Sequence, residues 1–135
     1  MTRARWIKFT FGMIFRHPTR IQRDLLYEQA LGAGKPGFLP SLEAIGDYDF
    51  RHRLPEIGCP TLIIQGEDDM LVPVGDADLF QEAIHGSRAV VLKDTGHVPM
   101  LERPETFNRL LVEFLDEGPA ETRDRAAAQP SETAA

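Results

Sequence analysis

The sequence is poor in several things at once, and each shortage removes a class of function. It holds one cysteine, Cys59, in 135 residues. A lone cysteine excludes an internal disulfide and fits a reducing compartment, so a cytoplasmic location is expected. The four histidines, at positions 17, 52, 85 and 97, are scattered, and with a single cysteine they offer no metal-ligand spacing. No apolar run is long enough to span a bilayer. Basic residues are the minority, 15 Lys and Arg against 21 Asp and Glu, for a net charge of −6. That balance argues against generic nucleic-acid binding, which favours a basic stripe. Residues 1–8 mix basic and apolar side chains, but Lys8 interrupts the apolar stretch and no small-residue cleavage site precedes Pro18, so no signal peptide is expected.

What remains is an ordinary globular composition, 42% hydrophobic and 27% charged, in a chain about the size of one domain. The charge is uneven. Residues 1–30 carry six Lys/Arg against Asp24 and Glu28, which leaves that segment at +4 and the remainder at −10. Residues 2–15 are aromatic and basic, with Trp6, Phe9 (or Ile7), Met13 and Ile14 able to share a helical face. Pro18 biases His17 away from helix. Thr19 is a candidate N-cap for a second helix over residues 19–31, and Gly32, Gly34, Pro36 and Gly37 then break the chain. Residues 38–54 are short and irregular, with one helical turn expected near residues 42–45.

From Pro60 the pattern changes. Thr61-Leu62-Ile63-Ile64 is a short continuous apolar run, the mark of a strand covered on both faces. Residues 74–85 read as a helix with Ala77, Phe80 and Ile84 on one side and Gly86 as its C-cap. Ala89-Val90-Val91-Leu92 is a second buried strand. Pro104 suits a first helical turn, and Phe107, Leu110, Leu111, Phe114 and Leu115 follow at helical spacing. Strand, helix, strand, helix at this spacing predicts a right-handed βαβ unit of a parallel sheet. Residues 118–135 lack apolar periodicity, and a disordered tail is expected there.

Ligands of parallel sheets sit beyond the carboxyl ends of the strands. Asp69 follows the first strand and His97 the second, 28 residues later. Neighbouring strands lie about 4.8 Å apart, so the loops that leave them can bring the carboxylate to the imidazole. A carboxylate on one ring nitrogen fixes the tautomer and stabilises the imidazolium, and the other nitrogen is free to act as a base. Asp69 is preferred to Asp68 as the acid. Asp94 is read as a cap of the loop before Gly96, Glu102 and Arg103 as residues that hold the histidine loop and start the last helix, and His17, His52 and His85 as surface residues. Cys59 precedes a buried strand and is read as packing, because no base motif accompanies it.

The segment 60–73, with Gly66-Glu67-Asp68-Asp69 and Val72-Pro73, and the segment 94–104, with Gly96-His97 and Glu102-Arg103-Pro104, carry a resemblance. Together with Asp49-Phe50-Arg51, Leu54 and Ile57, the chain resembles the C-terminal part of an α/β-hydrolase, whose triad runs in the order Ser, Asp or Glu, His. The resemblance implies an α/β fold, the last portion of a doubly wound parallel sheet, preceded by helical cap segments. It implies three regions: a cap remnant over residues 1–48, core over 49–117 and tail over 118–135. It places the acid on Asp69 and the histidine on His97, and implies no cofactor. One departure is plain: no Gly-x-Ser-x-Gly occurs, and Ser41, Ser87 and Ser131 lack the strand–elbow–helix setting of a nucleophile. The sequence therefore reads as a fragment, inactive alone. The partners it implies are a small apolar substrate of the intact enzyme and, for the fragment, self-association or the missing N-terminal half. A non-catalytic interaction module is the alternative.

Overall fold

The computed structural model describes residues 12–24, 28, 48–128 and 132–134, with the backbone alone for 118–128 and 132–134. Two parallel strands carry the rest. Strand β1 (Thr61–Gly66) pairs with β2 (Ser87–Leu92) in a register that runs from Thr61 opposite Ser87 to Gly66 opposite Leu92. Helix α1 (Gly75–Ala83) makes the crossover, and its first turn carries Asp76 and Asp78, where the helix dipole favours negative charge. Ile84 ends it in extended backbone, and Gly86 turns the chain into β2 at φ 73°, a conformation open to glycine at little cost.

Both faces of the sheet are covered, which is why its strands read as unbroken apolar runs. Ile63, Ala89 and Val91 meet Ala77 of α1 on one face. Leu62, Ile64, Val90 and Leu92 meet Leu110 on the other, under helix α3 (Pro104–Ala128). Each fully buried side chain of this size contributes about 1.5–3 kcal/mol. Strand β2 is buried throughout, whereas the first four residues of β1 are only half-buried. The strand order β1-β2-β3 explains the contrast: among the described residues, β1 has a neighbour on one side only.

Three elements depart from expectation. A short helix, α2 (Pro99–Glu102), follows the histidine loop, with Pro99 at its start, where a missing N–H costs nothing. The second lies in the segment where a tail was expected. Helix α3 continues to Ala128, and β3 (Glu132–Ala134) pairs in parallel with the end of β2. The stretch Ala120-Glu121-Thr122-Arg123-Asp124-Arg125-Ala126-Ala127-Ala128 is rich in strong helix formers, and extending an existing helix avoids the cost of nucleation. Gly118 and Pro119 weaken that extension without ending it. The third departure is a 3-10 turn at Arg51–Glu56, which buries Leu54.

The two helices expected in the first thirty residues fall partly outside the described residues, as does the turn expected near 42–45. The described portions, 12–14 and 20–24, are helical. Thr19 caps the second of them in a reciprocal box. Gln22 N–H donates to Thr19 Oγ1 at 3.3 Å, and Thr19 N–H donates to Gln22 Oε1 at 2.8 Å. Gln22 Nε2 also donates to the carbonyl of Leu101 at 2.6 Å, which moors this helix to α2. No helix among the described residues is long and apolar enough to cross a membrane.

Candidate active site

The ladder between β1 and β2 does not stop where the strands do. Glu67 N–H donates to the carbonyl of Leu92 at 2.9 Å, and Asp68 N–H to the carbonyl of Thr95 at 2.9 Å. The two loops leave the sheet bonded to each other. Gly66 permits that approach, because a Cβ there would run into the carbonyls of Thr95 and Gly96.

The loop after β1 turns on Asp69. Its Oδ1 accepts the N–H groups of Leu71 at 2.8 Å and Val72 at 3.0 Å, an aspartate-centred turn. Its Oδ2 faces His97 Nδ1 at 2.8 Å. The carboxylate is 5% exposed and the imidazole 38%, so the acid is enclosed and the histidine opens outward. With Nδ1–H donating to Asp69, Nε2 carries the free lone pair and has no hydrogen-bond partner among the described residues. Asp68 is drawn elsewhere: the Arg16 guanidinium lies 3.3 Å from its carboxylate. The two adjacent carboxylates are thus separated by the backbone turn, one toward the imidazole and one toward Arg16.

Gln65 shapes the acid loop from inside. It is buried, and its Nε2 donates to the carbonyls of Val72 and Pro73 at 3.0 Å each. The strand pattern held a hint of this, since Gln65 is the one polar side chain between Thr61 and the turn. Only a structure reveals its acceptors.

The loop after β2 is shaped from farther away. Asp94 takes a left-handed backbone, φ 52°, at the turn, a conformation that aspartate tolerates better than most residues. Thr95 is fully buried, with its hydroxyl donating to the carbonyl of Lys93 at 2.9 Å. His97 N–H donates to the carbonyl of Ile14 at 2.7 Å. Glu102 holds the histidine loop, as expected, through a hydrogen bond from Gly96 N–H at 2.8 Å. Its other oxygen accepts the N–H groups of Arg16 at 2.8 Å and His17 at 2.9 Å.

Asp94 does more than cap its loop. Its carboxylate lies 2.7 Å from His17 Nε2, 3.7 Å from Arg16 and 3.4 Å from Arg103. The hydrogen bond with His17 is the main reason its carboxyl is held below the ordinary value of 3.8. His17 is exposed, as expected, yet it belongs to this cluster. Nothing in the local sequence joins positions 16 and 17 to the loop, so this part of the site was missed.

The remaining nucleophile candidates sit at the wrong end. Ser87 opens β2, buried and bonded to the carbonyl of Gln81, and Cys59 lies just before β1. A six-residue strand, about 20 Å at 3.3 Å per residue, separates that end of the sheet from His97. Ser41 and Ser131 lie outside the described residues. No group of three or more His, Cys, Asp or Glu among the described residues could hold a metal ion.

Comparison with known proteins agrees with this architecture. A family model described as "Alpha/beta hydrolase family" matches residues 2–110. The protein named "Putative carbamate hydrolase RutD" from Klebsiella pneumoniae (strain 342) is 39% identical over 82 residues, 61% of this chain and 31% of that protein. Its counterpart from Escherichia coli O1:K1 / APEC is 38% identical over the same shares. Among solved structures, an esterase (EaEST) from Exiguobacterium antarcticum superposes with a TM-score of 0.78 at 29% identity, covering 84% of this chain and 43% of that one. Est816, described as an N-acyl homoserine lactone degrading enzyme, superposes with a TM-score of 0.61 at 27% identity, covering 81% of this chain and 46% of that one. The chain thus spans about a third of the length of the curated relatives it matches. With a family model that covers most of its length, and a parallel βαβ unit that superposes on solved members, this chain belongs to the alpha/beta hydrolase family.

Proposed function

We propose that this chain supplies the acid and the base of a nucleophile–His–Asp hydrolase, with His97 as general base and Asp69 as the group that orients it. The observation that carries this reading is the 2.8 Å contact between His97 Nδ1 and the enclosed Asp69 carboxylate, with Nε2 left free on the open side. His97 Nε2 would take the proton from an attacking hydroxyl and return it to the leaving group, and Asp69 would stabilise the imidazolium that forms between those steps. The substrate is a small apolar ester or related carbonyl compound. The relatives act on carbamates, esters and an acyl homoserine lactone by name, all of which present a carbonyl to a nucleophile.

On this reading the nucleophile and its oxyanion hole come from a part of the family fold that these 135 residues do not supply, since no Gly-x-Ser-x-Gly occurs among them, and the chain alone is inactive. Residues 1–48 are then the remnant of a cap and residues 49–117 the last portion of the core. The test is hydrolysis of a chromogenic ester. The chain alone should match buffer. Joined to an N-terminal portion that carries a Gly-x-Ser-x-Gly elbow, it should gain an activity that His97→Ala abolishes and Asp69→Asn lowers by about 10⁴-fold. Unchanged activity of the joined protein with His97→Ala would refute the assignment. A robust rate from the chain alone, lost in His97→Ala, would refute the missing nucleophile.

A second reading, a module that pairs with another chain, is favoured by the side of β1 that has no strand neighbour among the described residues and by the outer face of α3. There Leu111, Val112 and Leu115 are 38%, 55% and 68% exposed. A parallel strand with one free edge and an apolar helix face beside it invite association. Light scattering should find the chain self-associated, and Leu115→Lys should reduce that association. A monodisperse monomer at high concentration would oppose this reading.

A further inference from the structure

We propose that Glu102 is a positioning residue for His97, holding the histidine loop against the segment 12–17 so that Nδ1 stays on Asp69. This inference rests on the reading of His97 as the base. One carboxylate gathers the backbone N–H groups of Gly96, Arg16 and His17, all within 2.9 Å. Gly96 is the residue immediately before the histidine. The histidine's own N–H is fixed from the same side by the carbonyl of Ile14. The backbone that leads into the His97 Cα, at two successive amides, is therefore held to a segment more than eighty residues away, directly through Ile14 and through Glu102 as the joint.

The fit leaves little slack. A Cβ on Gly96 would lie 2.7 Å from the Ile14 carbonyl oxygen, 2.8 Å from Arg16 N and 2.8 Å from Glu102 Oε1. Hydrogen bonds to a charged acceptor are about twice as strong as neutral ones, and an ionised carboxylate has the lone pairs to accept three donors at once. Without it, three N–H groups lose their acceptor together, and the loop is free to rotate the imidazole off Asp69. The side-chain hydrogen bonds of Asp69 go to Leu71, Val72 and His97 and to none of these three amides, so the hydrogen-bonded path from Glu102 to the ring runs through the backbone.

The test reads the ring directly. The chain is labelled with 15N-histidine, and the imidazole nitrogen shifts of His97 are measured at a pH where the ring is neutral. In the unmodified chain the Nδ1–H tautomer should exceed the Nε2–H form by about tenfold, a bias of about 1.4 kcal/mol. Asp69→Asn should remove that bias, and its absence from the unmodified chain would refute the base reading itself. Glu102→Ala should cut the bias to about twofold or less while far-ultraviolet circular dichroism stays unchanged. Glu102→Gln, with one carbonyl oxygen in place of two, should fall between. A bias that survives Glu102→Ala but not Asp69→Asn would overturn the positioning role and leave the base reading intact. Should Glu102→Ala fail to fold, Glu102→Gln and the unmodified chain decide: full bias in Glu102→Gln, or rapid hydrogen exchange at the Gly96, Arg16 and His17 amides, would overturn the proposal.

Discussion

The two loops that carry the candidate acid and base leave neighbouring strands side by side, yet they are built on opposite plans. The acid loop closes on itself. Asp69 ties down Leu71 and Val72, and Gln65 reaches seven and eight residues ahead to the carbonyls of Val72 and Pro73. The histidine loop is held by contacts that are remote in sequence, from Ile14 directly and from Arg16 and His17 through Glu102. The turn around Asp69 is closed by bonds within the loop, although Glu67 and Asp68 also bond to the neighbouring loop. A loop held from afar needs the fold around it, so the placement of His97 is the more fragile half of the pair.

That contrast can be broken at four points, in decreasing order of effect. Gly66→Ala strikes both loops, because its Cβ meets backbone carbonyls that cannot swing away. It should cost about 3 kcal/mol, measured as a fall in the denaturation midpoint. Gly96→Ala strikes only the remote contacts. It should cost about 2 kcal/mol and speed hydrogen exchange at His97 while leaving Leu71 and Val72 protected. Gln65→Leu strikes only the acid loop. It removes two hydrogen bonds from a buried amide, for about 1–2 kcal/mol, and amide exchange should quicken after Asp69 but not at Gly96. The reverse pattern in either variant would refute the division into a local and a remote loop.

The smallest effect is one of pH. The folded Asp94 carboxyl is held below its ordinary value of 3.8, chiefly by the hydrogen bond with His17. A group depressed on folding contributes its full share above the unfolded value and loses it as pH falls through the folded one. The contact between Asp94 and residues 16–17 should therefore persist down to about pH 3.8 and weaken below it. An Asp94 carboxyl carbon shift whose midpoint lies at or above that pH would contradict the assignment.

The same division governs what could be read from the sequence. The strands, the crossover and the pairing of Asp69 with His97 were legible, because apolar runs, turn residues and strand order are short-range signals. The choice of Asp69 over Asp68 as the histidine's neighbour was also legible, and the structure gives its reason in the turn that sends Asp68 to Arg16. That Glu102 holds the histidine loop was expected from its place, and the structure supplies the partner, Gly96. The second oxygen of Glu102, bound to positions 16 and 17, left no trace in the local pattern. Nor did the pairing of His17 with Asp94, which joins two residues 77 positions apart. For the segment after residue 117 composition alone was weighed, whereas helix formers that extend an existing helix, here as far as Ala128, follow a different rule from an isolated polar stretch.

The Glu102 contacts also set a schedule. During synthesis residues 16 and 17 emerge first, and their amide groups await a carboxylate 85 and 86 residues downstream. At a translation rate of about 5–20 residues per second that wait is on the order of ten seconds. The bonds that Asp69 and Gln65 make within the acid loop span at most eight residues and can form as soon as that loop has left the ribosome, before its bonds to Leu92 and Thr95. The histidine loop is therefore the later of the two to be completed, and an encounter of residues 12–17 with the wrong surface in that interval would leave a chain with Asp69 in place and His97 unset.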